Sequence, residues 1–115
     1  ILIYNSKHIG ENVMVVVFDK EEGPTAVKEF LSNMEKTEGV RDLTVTPEST
    51  TLFGNEVAKK KVISYFDGDD TKKTQTSFVY TTLPDGWMFG VLHSCLLGEC
   101  DEQGVNSILS TFKFK

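Results

Sequence analysis

Apolar and polar positions in the second half of the chain, residues 52–115, follow a pattern of long strands separated by short polar turns. Three strands are predicted, over residues 57–66, 73–83 and 87–97, and the turns beside them are rich in Gly, Asn, Asp and Pro. Because these turns are short, neighbouring strands are expected to pair antiparallel, as a meander.

The strand predicted over residues 87–97 decides the architecture, because both of its faces are largely apolar. One face consists of alternate residues from Met88 to Leu96. The other face carries Trp87, Phe89, Val91, His93 and Cys95. A sheet with one solvated face would alternate apolar and polar residues. Both faces therefore need cover, from helices on both sides or from a helix on one side and a second layer on the other.

Two amphipathic helices can supply this cover. The first begins near Pro24, carries an apolar stripe at helical spacing and is expected to end at Gly39. The second begins near the candidate N-cap Asp101, and residues 112–115 after it alternate Phe and Lys, as in an extended tail. With earlier strands over residues 13–18 and 43–46, the pattern predicts one α+β domain spanning residues 1–115. Its antiparallel meander would have helices on both faces, in an α/β/α sandwich.

Charge and length narrow the expected partners. The chain has 115 residues, a formal net charge of −5 and a sequence pI near 5.0. An acidic surface repels phosphate groups, so protein is the expected partner rather than nucleic acid or an anionic membrane surface. The longest apolar run, residues 13–18, is too short to cross a bilayer. Because the chain begins with Ile1, we expect a native N-terminal segment (a signal peptide, a lipid anchor or another domain) to be missing.

The two cysteines, Cys95 and Cys100, are close enough in sequence for a turn to bring them together. A disulfide would close a small loop, contribute about 2–3 kcal/mol at best, and indicate an oxidising compartment. Two reduced thiols fit the sequence equally well. The pattern leaves both alternatives open.

No metal, cofactor or catalytic residue is predicted. His93 with Cys95 and Cys100 gives three potential ligands where structural zinc takes four, and His8 lies in an unrelated connection. His93 is therefore predicted to be a partly buried structural residue. The acidic stretch from Asp67 fails as a calcium loop, because its twelfth position is Phe78, and a solvated hairpin turn is predicted instead. The Gly-x-Ser-x-Gly pattern of a nucleophile elbow is absent from the sequence.

Five lysines form a candidate binding surface. Lys59, Lys60 and Lys61 begin one predicted strand, and Lys72 and Lys73 lie across its hairpin. If the strands pair, these side chains are expected to lie near one another. Such a patch can dock an acidic partner, but lysines also protect exposed sheet edges against aggregation, and the second interpretation is favoured.

Several segments together resemble the PsbP-like family, which is related in fold to photosystem II extrinsic proteins and to a Ran-binding nuclear import factor. They are the strand over residues 13–18, the helix from Pro24, residues 51–58 (Thr-Leu-Phe-Gly-Asn-Glu-Val-Ala) and the ending Ser110-Thr111-Phe112-Lys113-Phe114. Many members end in Ser-Phe-Lys-Phe, and this chain has one extra Thr. The resemblance implies an antiparallel sheet between helices and a binding or assembly role without shared catalytic residues.

The functional prediction follows from this resemblance. The chain lacks the longer N-terminal segment of the plant photosystem proteins, so a photosynthetic role does not carry over. We expect a non-enzymatic, exported binding or assembly domain, extracytoplasmic or anchored to a membrane through the missing segment. The alternative is a small-molecule carrier or a hydrolase that uses a pocket between sheet and helix near His93.

Overall fold

The computed structural model describes residues 2–5 and 11–112, which form a single antiparallel sheet with two helices. In chain order the elements are β1 Leu2–Asn5, β2 Asn12–Phe18, α1 Gly23–Lys36, β3 Val40–Val45, β4 Ser49–Phe53, β5 Glu56–Asp67, β6 Thr74–Thr82, β7 Met88–Leu96 and α2 Glu102–Ser110. The predicted α+β class with an antiparallel sheet is confirmed. Neither described helix is long and apolar enough to cross a membrane.

The sheet has the strand order β1-β2-β7-β6-β5-β3, and β4 pairs with β5 beside β3. Strands β4 to β7 form the predicted meander, because each is joined to the next by a short turn. Strand β2 pairs with β7 along its whole length, from Asn12 opposite Ser94 to Phe18 opposite Met88. This long-range pairing places the second strand of the chain beside the last one.

Two apolar clusters lie on opposite faces of the sheet, because neighbouring residues of a strand point to opposite sides. On one face Phe78 packs with Met88 and with Ala26 of α1. On the other face Val79 packs with Val105 and Leu109 of α2. Complete burial of one such side chain stabilises the fold by about 1.5–3 kcal/mol. Side chains on both faces of β6 and β7 are therefore buried in apolar clusters, each of which includes residues of one helix.

The two ends of α2 are held by specific contacts. At its start the side chain of Asp101 accepts a hydrogen bond from the Gly104 backbone N–H at 3.0 Å, which confirms the predicted N-cap. After its end the ring of Phe112 packs edge-on against Phe53, with 4.9 Å between ring centroids. The extended tail predicted after Phe112 falls on residues outside the described part of the chain, as does His8.

Gly54, in the β4–β5 turn, is required by this contact. Its φ is +62°, and a Cβ atom there would overlap the backbone carbonyl of Phe112. Gly68, in the β5–β6 turn, has almost the same φ of +58° but has open space where a Cβ would be. A comparison of Gly54 with Gly68 therefore separates the free-energy cost of the left-handed backbone from the cost of steric overlap.

We expect Gly54→Ala to destabilise the protein more than Gly68→Ala. Both substitutions carry the left-handed backbone cost of about 1–2 kcal/mol, and Gly54→Ala adds about 1–3 kcal/mol of overpacking against Phe112. Urea unfolding monitored by Trp87 fluorescence measures both values. Equal losses of stability would show that the Gly54–Phe112 approach is not as tight as described.

Candidate functional site

The centre of the candidate site is a buried pair formed by Glu11 and His93. Nε2 of His93 lies 2.9 Å from Oε2 of Glu11, and their side chains are only 5% and 1% exposed. The same carboxylate oxygen accepts a hydrogen bond of 2.7 Å from the backbone N–H of Asp101. The carboxylate therefore connects the residue before β2, the middle of β7 and the N-cap of α2.

His93 also lines a small cavity between the sheet and α2. The cavity holds about 50 Å³, and its lining consists of Thr51, Lys60, Ser77, Val79, Val91, His93, Glu102, Val105, Asn106 and Leu109. Ser77 stands directly opposite His93 in the β6–β7 register. At about 10–15 Å³ for each water position, this space takes a few water molecules. Pockets for metabolites and drug-sized ligands are larger, at about 300–1,000 Å³.

A disulfide between Cys95 and Cys100 resolves the alternatives that the sequence left open. The two Cα atoms are 5.3 Å apart, and Cys95 is completely buried on β7. Cys100 directly precedes Asp101, so the disulfide holds the beginning of α2 against β7. The disulfide and the Glu11 carboxylate thus fasten the same point of the chain, one covalently and the other by hydrogen bonding.

Glu11, His93 and Cys95 each present a potential metal-ligand atom, and these atoms lie within 4.8 Å of one another. As a disulfide, Cys95 offers no thiolate, so this group is not a ligand set in the oxidised protein. Sequence reasoning found His93 and the cysteines but missed Glu11. A single carboxylate at the start of an apolar strand has no local feature that indicates a partner 82 residues away.

The five lysines do not form one patch, so the predicted proximity is wrong. The register places Lys59, Lys60 and Lys61 opposite Tyr80, Val79 and Phe78, far from the turn that holds the other two. The predicted hairpin turn is present between β5 and β6. There Lys72 lies 3.5 Å from Glu99 and Lys73 donates to the Asp42 carbonyl at 3.2 Å.

Lys59 and Lys61 point to the face of the sheet that carries α1, whereas Lys60 points to the opposite face and lines the cavity below α2. Alternation along β5 therefore divides even the consecutive lysines. Their role in binding stays a prediction.

A wider groove runs between α1 and the sheet, and we call it the α1 groove. It holds about 530 Å³ and is lined by Pro24, Val27, Lys28, Leu31, Ser32, Glu35, Glu48, Lys61 and Tyr80. At its centre the Tyr80 hydroxyl donates to the Glu48 carboxylate, which also lies 3.8 Å from the Lys59 ammonium. Sequence reasoning missed Tyr80 and Glu48, because the hydrogen bond spans 32 residues and neither belongs to a motif.

The pKa values of Tyr80 and Glu48 are shifted in opposite directions. Burial raises the pKa of Tyr80 above its ordinary 10.0, and the hydrogen bond to the Glu48 carboxylate raises it further. The hydrogen bond from Tyr80 lowers the pKa of Glu48 below its ordinary 4.5, and the charges of Lys59 and Lys61 act in the same direction.

Removal of either Glu11 or His93 should destabilise the folded protein. We expect Glu11→Ala to lower the free energy of unfolding by about 3 kcal/mol, because it leaves His93 buried without its partner. Glu99→Ala breaks an exposed contact and should cost less than about 1 kcal/mol. In urea unfolding, Glu11→Ala/His93→Ala should cost less than the two single substitutions added together. Strict additivity would contradict a coupled pair.

The tyrosine shift predicts a pH effect at alkaline pH. The folded pKa of Tyr80 is above the unfolded value, so the stability it contributes is fully present below pH 10.0 and is lost as pH rises through the folded pKa. An absorbance titration of tyrosine ionisation should show a phase well above pH 10.0, and Tyr80→Phe should remove this phase.

Glu48→Gln should move that phase to lower pH without abolishing it, because burial is the larger cause. Glu35→Gln, which changes another carboxylate in the α1 groove, is the matched control. An equal shift in both variants would refute the specific role of Glu48.

No protein-family model matches this chain, and no curated protein matches it in sequence. The resemblance to the PsbP-like family therefore stays a prediction.

Proposed function

We propose that this chain is a non-enzymatic binding or assembly domain of PsbP-like type, which recognises a protein segment in the α1 groove. The observation that carries the proposal is the size of the α1 groove compared with that of the cavity at His93. The site at His93 holds about 50 Å³, whereas the α1 groove is open and holds about 530 Å³. Of these two sites, the α1 groove is the one with room for the side chains of a partner.

The lining of the α1 groove indicates the chemistry of the partner. Val27 and Leu31 offer an apolar surface, while Lys28 and Lys61 supply two positive charges against the one carboxylate of Glu35, on a protein whose net charge is −5. The Glu48 carboxylate is already engaged by Tyr80 and Lys59. The partner segment therefore has an apolar anchor flanked by carboxylates, since charge complementarity raises the rate and specificity of association.

A pair of exposed aliphatic side chains extends this surface along β5. Val57 and Leu52 stand directly opposite each other in the β4–β5 hairpin and are 69% and 64% exposed. Every second residue of β5 lies on the same face, and this face carries Val57, Lys59 and Lys61. Large apolar side chains exposed together beside positive charge are typical of an interaction surface.

The α/β/α arrangement of PsbP-like type belongs to the same proposal. It is supported by the two apolar clusters, one containing Ala26 of α1 and the other containing Val105 and Leu109 of α2. Export is supported by the disulfide, because disulfides persist mainly in oxidising compartments. A location outside the cytoplasm, free or anchored to a membrane, follows from export.

The competing function is a small-molecule carrier or hydrolase at His93. One observation favours it, namely that His93 lines a cavity, bonds to a carboxylate and stands opposite Ser77. The small volume disfavours it, because a substrate has to fit beside the imidazole before any chemistry can occur. Burial and hydrogen bonding of His93 are sufficiently explained by its part in fastening α2.

A photo-crosslinking amino acid placed at Ser32 tests the groove directly. Ser32 lines the α1 groove, whereas the neighbouring Asn33 does not and serves as the matched control position. We expect adducts in the native organism from Ser32 only, and mass spectrometry should locate them in partner segments that combine apolar and acidic residues. Equal labelling from both positions would refute the groove as the binding site.

A synthetic peptide of the crosslinked segment then allows the charges to be tested. We expect Lys59→Glu/Lys61→Glu to weaken its binding about threefold to tenfold, equivalent to about 0.7–1.4 kcal/mol, and low salt to strengthen wild-type binding. Lys72→Glu at the far turn is the control and should bind like the wild type. Unchanged affinity in the double variant would contradict the proposed surface.

A further inference from the structure

Glu11, His93 and Cys95 converge because of the β2–β7 register. His93 and Cys95 are two residues apart on β7 and therefore share a face. Val13 is opposite His93, so the same register continued by two residues brings Glu11 level with Cys95. The potential ligand atoms of all three residues lie within 4.8 Å of one another, and all three residues are buried.

A fourth donor is within reach of this group. The Sγ atom of Cys100 is bonded to that of Cys95 in the oxidised protein, so reduction leaves two thiols beside the imidazole and the carboxylate. The sequence provided only His93 and the two cysteines, and the fold adds Glu11. Two thiolates, one imidazole and one carboxylate form a complete four-coordinate set of the kinds of ligand that zinc takes.

We propose that Glu11, His93, Cys95 and Cys100 bind a zinc ion when the disulfide is reduced, so that metal and disulfide are alternative occupants of one position. The reductant is a dithiol, which transfers two electrons and two protons to the disulfide and becomes a disulfide itself. Zinc binding then displaces both protons from the new thiols to solvent. The two thiolates balance the charge of the ion, so the site keeps only the negative charge of the Glu11 carboxylate.

The distances allow this exchange with small movements. Zinc–ligand bonds of about 2.0–2.3 Å place tetrahedral donors about 3.3–3.8 Å apart, and the three converging atoms are already within 4.8 Å. Cys100 has to move away from Cys95, and it lies in the half-buried connection before α2 rather than in a strand. The buried strand residues therefore supply the rigid part of the site, and the connection supplies the adjustable ligand.

The proposed ion acts at the same place as the disulfide. Cys100 is adjacent to Asp101, whose backbone N–H donates to Glu11. Coordination of both Cys100 and Glu11 keeps the N-terminus of α2 against β7 after the covalent link is gone. The helix is thereby clamped in reducing as well as oxidising surroundings.

Cobalt is the probe for the site, because tetrahedral cobalt with thiolate ligands is strongly coloured. The full chain is reduced with a phosphine, which leaves no competing thiol, and is titrated anaerobically with Co²⁺ and then Zn²⁺. We expect a thiolate-to-cobalt charge-transfer band that saturates at one equivalent and disappears when zinc displaces cobalt. The oxidised protein should give no such band, and a reduced protein without it would overturn the proposal.

Substitutions test whether all four residues bind the metal or whether the two cysteine thiols bind it without Glu11 and His93. We expect Glu11→Gln and His93→Gln to weaken zinc binding at least about tenfold, whereas the matched control Glu99→Gln leaves it unchanged. Equal affinity in all three variants would overturn the assignment of Glu11 and His93.

Alkylation provides a measurement that does not depend on the folding of the variants. In the reduced wild-type protein, zinc should slow iodoacetamide labelling of Cys95 and Cys100, and a chelator should restore the rate. Labelling that is indifferent to zinc would also refute the site. None of these outcomes depends on the α1 groove, so the binding function can fail while the metal site stands.

Discussion

Burial of both faces of β6 and β7 is the constraint on which the remainder of this structure depends. Phe78 and Val79 are adjacent in β6 and point in opposite directions, so each requires its own apolar partners. Ala26 of α1 belongs to the cluster of the first, and Val105 and Leu109 of α2 belong to the cluster of the second. The concave sites lie where these helices meet the sheet.

The two helix–sheet junctions differ in how they are fastened. The N-terminus of α2 is held by a disulfide and by the Glu11 carboxylate, which accepts from the Asp101 backbone and bonds to His93. The cavity that His93 lines beside this junction is small, at about 50 Å³. Between α1 and the edge of the sheet the space is open, and Tyr80, Glu48 and two lysines are accessible there. The α1 side is therefore the side for which we propose binding, and the contacts on the α2 side hold the fold together.

Much of the fold could be predicted because its signals are local. Turn residues between β4, β5, β6 and β7, the helical spacing after Pro24 and the Asp101 cap each act over a few residues. The candidate sites could not be predicted in the same way. The contact of Glu11 with His93 spans 82 residues and that of Tyr80 with Glu48 spans 32, and no periodicity within a strand encodes either contact.

The lysines show the limit of sequence reasoning most clearly. Their strand was predicted, but strand register decides which side chains become neighbours, and one residue of offset exchanges the two faces. The sequence by itself determined an antiparallel α+β domain whose central strands need cover on both faces, because periodicity and turn chemistry act locally. Only the tertiary structure decided that Glu11 joins His93 and the cysteines, and that Lys60 shares its face of the sheet with α2 while Lys59 lies beside Glu48. Those neighbours are set by pairing between distant strands, which depends on packing of the whole sheet.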